Sequence, residues 1–233
     1  MRDLGGLWSD LTDLVLPSGC AGCAERTPGL RQGFCPCCVG ELAALIPAPT
    51  RPDPSPPGLP PCVALGPYAG ALRAGLLAYK ERGRHGLARP LGALLAEVVA
   101  AAVGTAGPVT LVPVPDTARA ARARYGDHLD RLTRHAAARL RAAGWPVRVL
   151  HPLRALPRPD SVALDSAGRA AAADAAFRLR RPGRAGVAGS LVLLDDIVTT
   201  GATLAAVSRV LHAAGMTPKA AAVLAATQKR RHQ

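Results

Sequence analysis

LVLLDDIVTTGATL, residues 191–204, runs four apolar residues into two adjacent aspartates, Asp195 and Asp196, and then into a threonine-rich loop around Gly201. A short apolar run bounded by turn residues reads as a buried strand, here 191–194. The glycine and hydroxyl cluster leads into a helical pattern over 202–214 that stops before Gly215. Such a junction is an anion cradle. Gly201 allows close backbone approach, Thr199, Thr200 and Thr203 offer hydroxyls, and the helix opening at Ala202 supplies free N–H groups and positive dipole. The aspartates repel phosphate, but they suit sugar hydroxyls or a Mg²⁺ ion that bridges to phosphate.

One end of this loop therefore asks for phosphate and the other for a diol or a metal. A ribose 5-phosphate carrying further phosphates meets both demands. Competing readings fail on missing partners. LVLLDD also suits the acidic strand of an NTPase, but no GxxxxGK[ST] accompanies it, and no GxGxxG marks a dinucleotide fold. Helix capping and turn formation account for one aspartate, not for two beside a threonine cluster.

Outward from this stretch, strands and helices alternate. Strands are expected at 62–65, 109–115 (VTLVPVP), 146–150 and 219–225, and helices at 70–80, 87–103, 127–143 and the Ala-rich 161–175. Asp127 is the expected N-cap of the 127–143 helix. The pattern argues for an α/β fold with a mainly parallel sheet flanked by helices. Ligands in such sheets bind beyond the carboxyl ends of the strands, where both VPVP and DDIVTTG sit. Residues 47–61 (PAPTRPDPSPPGLPP) hold eight prolines in fifteen positions and read as an extended linker with no helix or packed strand.

Five of the six cysteines fall within residues 1–46. Cys20 and Cys23 form one CxxC, and Cys35 and Cys38 form a second eleven residues later. Two such knuckles offer four thiolates at tetrahedral corners, a donor set for structural Zn²⁺. Cys37 competes with Cys38 for the fourth corner, although Cys35 and Cys38 keep the usual spacing. Disulfides and a redox CxxC are the rival readings. Cys62 reads as a small buried hydrophobe.

The chain has 233 residues and a formal charge of +13, which favours polyanionic partners or simply a solvated arginine surface. Hydrophobic residues make up 49% and aromatics 3%, so the core must be built from Ala, Leu and Val. The longest apolar stretch, 91–103, is interrupted by Glu97 and is too short to span a bilayer. Asp3, Asp10 and Asp13 break up the region a signal peptide would need, so a soluble cytoplasmic protein without membrane insertion is expected. The histidines, His85, His128, His135 and His151 among them, read as surface residues. Lysine is scarce (Lys80, Lys219 and Lys229), which singles out Lys80 at the end of the 70–80 helix.

LVLLDDIVTTGATL closely resembles the 5-phosphoribosyl 1-diphosphate (PRPP) motif of type I phosphoribosyltransferases. Nearly the whole chain resembles one branch of these proteins, the ComF family of competence-associated, amidophosphoribosyltransferase-like proteins with an N-terminal double zinc ribbon. The resemblance rests also on the four-cysteine head, on Tyr68 to Arg73 with its helix ending at Lys80, on VPVP at 112–115, and on Arg169 and Phe177 upstream of the motif. It implies a zinc-ribbon head (1–46), a Pro-rich linker (47–61) and a type I phosphoribosyltransferase-like domain (62–233). It implies that Asp195 and Asp196 hold the ribose hydroxyls of PRPP as the catalytic acids. The loop Thr199, Thr200, Gly201, Ala202 and Thr203 then holds the 5-phosphate. Mg²⁺ accompanies PRPP, and the pyrophosphate meets the loop around Asp116 and Thr117, with Lys80, Arg122 and Arg124 as cationic candidates.

Three positions depart from the family pattern. Arg124-Tyr125-Gly126-Asp127-His128 stands where Arg-Gly-Phe-Asn-Gln is usual, Asp160 or Ser161 replaces a Gln, and Ala172 replaces an Asn. These positions line the side of the site away from the 5-phosphate, so the acceptor half differs from the family. The expected activity is transfer of phosphoribosyl to an unidentified acceptor. The alternative is a non-enzymatic accessory of DNA uptake that senses PRPP and binds single-stranded DNA. Against it, the two Trp, three Tyr and two Phe of the chain offer little for base stacking.

Overall fold

The structure is a computed structural model that describes residues 19–116, 127–156, 176–180 and 187–227. Its main sheet has six strands: β1 (Ala48–Thr50), β2 (Cys62–Pro67), β3 (Val109–Pro113), β4 (Val147–Val149), β7 (Ser190–Val198) and β8 (Ala220–Ala226). Their spatial order is β1-β2-β8-β7-β3-β4, and every pair from β2 to β4 is parallel. Two short strands, β5 (Leu153–Ala155) and β6 (Phe177–Leu179), form a separate antiparallel pair. The helices are α1 (Pro36–Ala43), α2 (Gly70–Lys80), α3 (Ala88–Val103), α4 (His128–Ala142) and α5 (Ala202–His212). The mainly parallel α/β architecture expected from the sequence is present.

Burial explains the sequence pattern. β8 (AAAVLAA) is buried along its whole length, and Leu191 to Leu194 of β7 are all sealed from solvent. Strands covered on both faces read as continuous apolar runs rather than alternating ones. α3 and the single turn before it make a helical stretch, His85–Val103, long and apolar enough by length and composition to cross a bilayer. Leu91, Leu95, Val98 and Val99 are fully buried, and α3 packs against α4, β2 and β8, so its apolar character serves the core.

Two expectations need correction. β7 does not stop before the aspartates but carries through both to Val198, because its ladder with β8 continues at Asp195, Ile197 and Val198. The proline-rich linker is not free of packed structure either. Ala48–Thr50 pairs antiparallel with β2, as Thr50 opposite Cys62 and Ala48 opposite Ala64. An edge position tolerates Pro49, because its missing donor falls on an unpaired side. Further along, Arg209 of α5 donates to the Pro57 carbonyl, and Leu59 and Pro52 lie against Gly201. The cysteine head is likewise packed in: Phe34, Cys35, Cys38 and Leu42 share one apolar core with α2. The expected 161–175 helix lies outside the described residues, as do Thr117, Arg122, Arg124, Asp160, Ser161, Arg169 and Ala172.

Candidate functional site

β3 and β7 are neighbours, yet the chain leaves them in opposite directions across the sheet, β3 toward β4 and β7 toward β8. A crevice at the carboxyl ends of such a diverging pair is where open α/β sheets bind ligands. β3 ends at Pro113 and delivers Asp116; β7 delivers Asp195, Asp196 and the threonine loop.

Because both aspartates lie inside a strand, their side chains point to opposite faces. Asp195 joins Thr199, Thr200, Gly201, Ala202 and Thr203 around one small polar hollow. Gly201 has φ +74°, a left-handed conformation that a side chain resists, and a Cβ there would press on Leu59 and Pro52 at 3.0 to 3.2 Å. Thr200 Oγ1 accepts from the Ala202 N–H at 3.4 Å, which turns the loop into α5. Burial first, and then the charge of Asp196 beside it, push the Asp195 carboxyl well above the usual carboxylate range. A carboxyl held that way can donate as well as accept.

Asp196 faces the other way and is 5% exposed. Its Oδ2 accepts from Lys80 Nζ at 2.7 Å and from His128 Nε2 at 2.8 Å. Burial opposes its charge, but the His128 hydrogen bond and the Lys80 ammonium outweigh burial and hold its carboxyl below the usual range. The other ring nitrogen, His128 Nδ1, lies 2.9 Å from Asp116 Oδ2, close enough for an ion pair but without the alignment of a hydrogen bond. Burial disfavours charge on this ring, yet the two aspartates prevail and raise it to about 9. Tyr79 donates to the His128 carbonyl at 2.6 Å and meets the ring edge-on.

His128 corrects the reading of the histidines as surface residues, since it is 5% exposed. The sequence did carry a signal. His128 lies four residues before Leu132, which continues to Ala136 and Leu140, the buried face of α4. Asp127 caps this helix as expected, accepting from the Asp130 N–H at 3.0 Å. The scarce lysines divide by role, for Lys80 meets Asp196 whereas Lys219 donates to the Val103 carbonyl at the end of α3.

In the head, the sulfurs of Cys20, Cys23, Cys35 and Cys38 lie within 4.8 Å of one another, positioned to hold a metal ion. Cys38, not Cys37, completes the set; Cys37 is exposed and outside it. The N–H groups of Gly22 and Cys35 donate to Cys20 Sγ at 3.3 and 3.1 Å. Against the opposing effect of burial, backbone donors lower the Cys20 thiol to about 6, while burial and the adjacent sulfurs push Cys38 up. Four thiols this close cannot all ionise without a cation among them, so the donor set suits a thiophilic metal. Gly22 is required here, because a Cβ would stand 2.5 Å from Cys38 Sγ. Cys62 is buried, as expected, and donates to the Pro60 carbonyl at 3.3 Å.

No protein-family model matches the chain, and no curated protein matches it.

Proposed function

We propose that this protein binds PRPP at the end of β7 and transfers its phosphoribosyl group to an acceptor, as the resemblance to ComF-type phosphoribosyltransferases implies. One observation carries the reading: Asp195 and the loop 199–203 surround the same hollow, at the carboxyl end of a central strand beside a diverging neighbour. A loop of hydroxyls and backbone amides at a helix start attracts the 5-phosphate. The Asp195 carboxyl beside it takes ribose hydroxyls. Asp196 works from the opposite face, held by Lys80 and His128. Mg²⁺, when present with PRPP, supplies counter-charge to the pyrophosphate. Zn²⁺ is the ion proposed for the cysteine cluster, where four sulfurs leave no open position for chemistry and the role is structural.

Calorimetric titration with PRPP and Mg²⁺ tests the site. Asp195→Asn changes a carboxyl that hydrogen-bonds the sugar, worth about 0.5–1.5 kcal/mol, or roughly twofold to tenfold in affinity. Inorganic phosphate binding should hardly change in that variant. Gly201→Val should weaken both ligands, by forcing the loop from its left-handed conformation. An Asp195→Asn, Asp196→Asn double variant that binds PRPP like the parent would refute the assignment. Release of pyrophosphate in a screen of nucleobases and amines identifies the acceptor.

A further inference from the structure

We propose that the cysteine head is a positioning device for the Asp196 side of the site, acting through Glu41 and helix α2. With its metal bound, the head holds α2 at its start, along its length and beyond its end, and so seats Lys80 on Asp196. This coupling rests on the proposed function only in counting Lys80 and Asp196 as part of the site.

α2 has no cap of its own. The residue before it is Ala69, whose side chain offers no acceptor, and the first N–H groups of a helix need one. Glu41 of α1, 30 residues before Ala71, supplies it: Oε1 accepts from the Ala71 N–H at 2.8 Å. A carboxylate placed there also meets the positive end of the helix dipole. Gly70 leaves room for the contact, because a Cβ at that position would collide with the Glu41 carboxylate. The head touches α2 and the turn after it at three more places. A Cβ on Gly22 would stand 3.1 Å from the Ala71 Cβ, and one on Gly75 would stand 2.8 Å from the Phe34 ring. Past the end of α2, Arg84 Nη1 donates to the Gly19 carbonyl at 2.7 Å. Gly19, Gly22 and Phe34 each adjoin a cysteine of the cluster, and Glu41 shares α1 with Cys38. Where the metal draws the sulfurs together therefore fixes where these contacts fall. Without it nothing bonds the four sulfurs to one another, and a head this small has little core of its own.

The far end of α2 reaches the site. Its eleven residues carry Lys80 about 15 Å from Gly70. There Lys80 Nζ meets Asp196 Oδ2 at 2.7 Å, and Tyr79 donates to the His128 carbonyl at 2.6 Å. A short hydrogen-bonded helix moves as a rod, so freeing its start and middle displaces its end. Contacts of 2.6 and 2.7 Å tolerate little displacement.

The scarcity of lysine makes the test direct. The full chain, loaded with zinc and free of PRPP, is acetylated with an N-hydroxysuccinimide ester below its melting temperature, and Lys80 and Lys219 are followed by mass spectrometry. Lys219 donates to the Val103 carbonyl at the end of α3 and reports any opening of the fold as a whole. Glu41→Ala should raise Lys80 labelling by about twofold to tenfold, the scale of one lost helix cap, with zinc content and Lys219 labelling unchanged. Glu41→Gln keeps the acceptor oxygen and should label nearly as the parent does. Stripping zinc from the parent with a chelator should raise Lys80 labelling at least as much as Glu41→Ala. The proposal is overturned if Glu41→Ala or zinc removal leaves Lys80 as protected as before, if Glu41→Gln labels like Glu41→Ala, or if Lys219 rises in step with Lys80. PRPP is absent throughout, so failure here and failure of the PRPP assignment are separate results.

Discussion

Replacing Lys80 by Met removes the ammonium from Asp196 while keeping most of the apolar stem. Lys80 Nζ and His128 Nε2 share the same Asp196 oxygen at 2.7 and 2.8 Å, and the Asp196 side chain is only 7% exposed. Breaking a buried ion pair outright costs about 3–5 kcal/mol, because a buried charge is left alone. Here His128 remains, so the loss is that of one charge-assisted hydrogen bond, about 1.5–3 kcal/mol. Urea unfolding followed by circular dichroism measures it as a lower midpoint with an unchanged slope. A double-mutant cycle with Asp196→Asn separates the contact from lost packing. In that neutral-amide background the Lys80→Met cost should fall below about 1 kcal/mol, the scale of an ordinary neutral hydrogen bond. Two results would refute the account: a Lys80→Met variant as stable as the parent, or a cost undiminished when Asp196→Asn is already present.

Two further outcomes are expected. Cys20→Ser with Cys23→Ser should abolish about one bound zinc per chain and lower the melting temperature of the whole fold, since Cys35, Cys38 and Phe34 belong to the core shared with α2; zinc retained at parental stoichiometry would remove the assignment. Burial pushes the Cys62 thiol up to about 11, so its folded value lies above its unfolded one. The stability this contributes is complete below the unfolded value and is lost as pH rises through about 11. Iodoacetamide at about pH 8 should therefore alkylate exposed Cys37 and spare Cys62 until denaturant is added, read by mass spectrometry. Equal labelling of both would contradict the burial of Cys62.

The sequence alone determined what depends on local order and period. α2 appears at 70–80 as expected, the Asp127 cap starts α4, and the buried strands read as apolar runs because both faces are covered. The paired CxxC spacing brought out the four-sulfur cluster, since knuckle geometry is local. The threonine loop was legible for the same reason: hydroxyls, Gly201 and a helix start are contiguous. Tertiary structure decided the rest. Only the strand's continuation through Asp195 and Asp196 shows that they face opposite sides, and it depends on the ladder to β8, which lies beyond α5 in the chain. The choice of Cys38 over Cys37 came from which sulfur α1 turns inward. Proline density predicts no pairing in the linker, but β2 offers an edge that needs few donors from it. His128 gave no composition signal of its own. Its role arises because β3, α2, α4 and β7, distant in the chain, converge on one buried point where a charge needs partners.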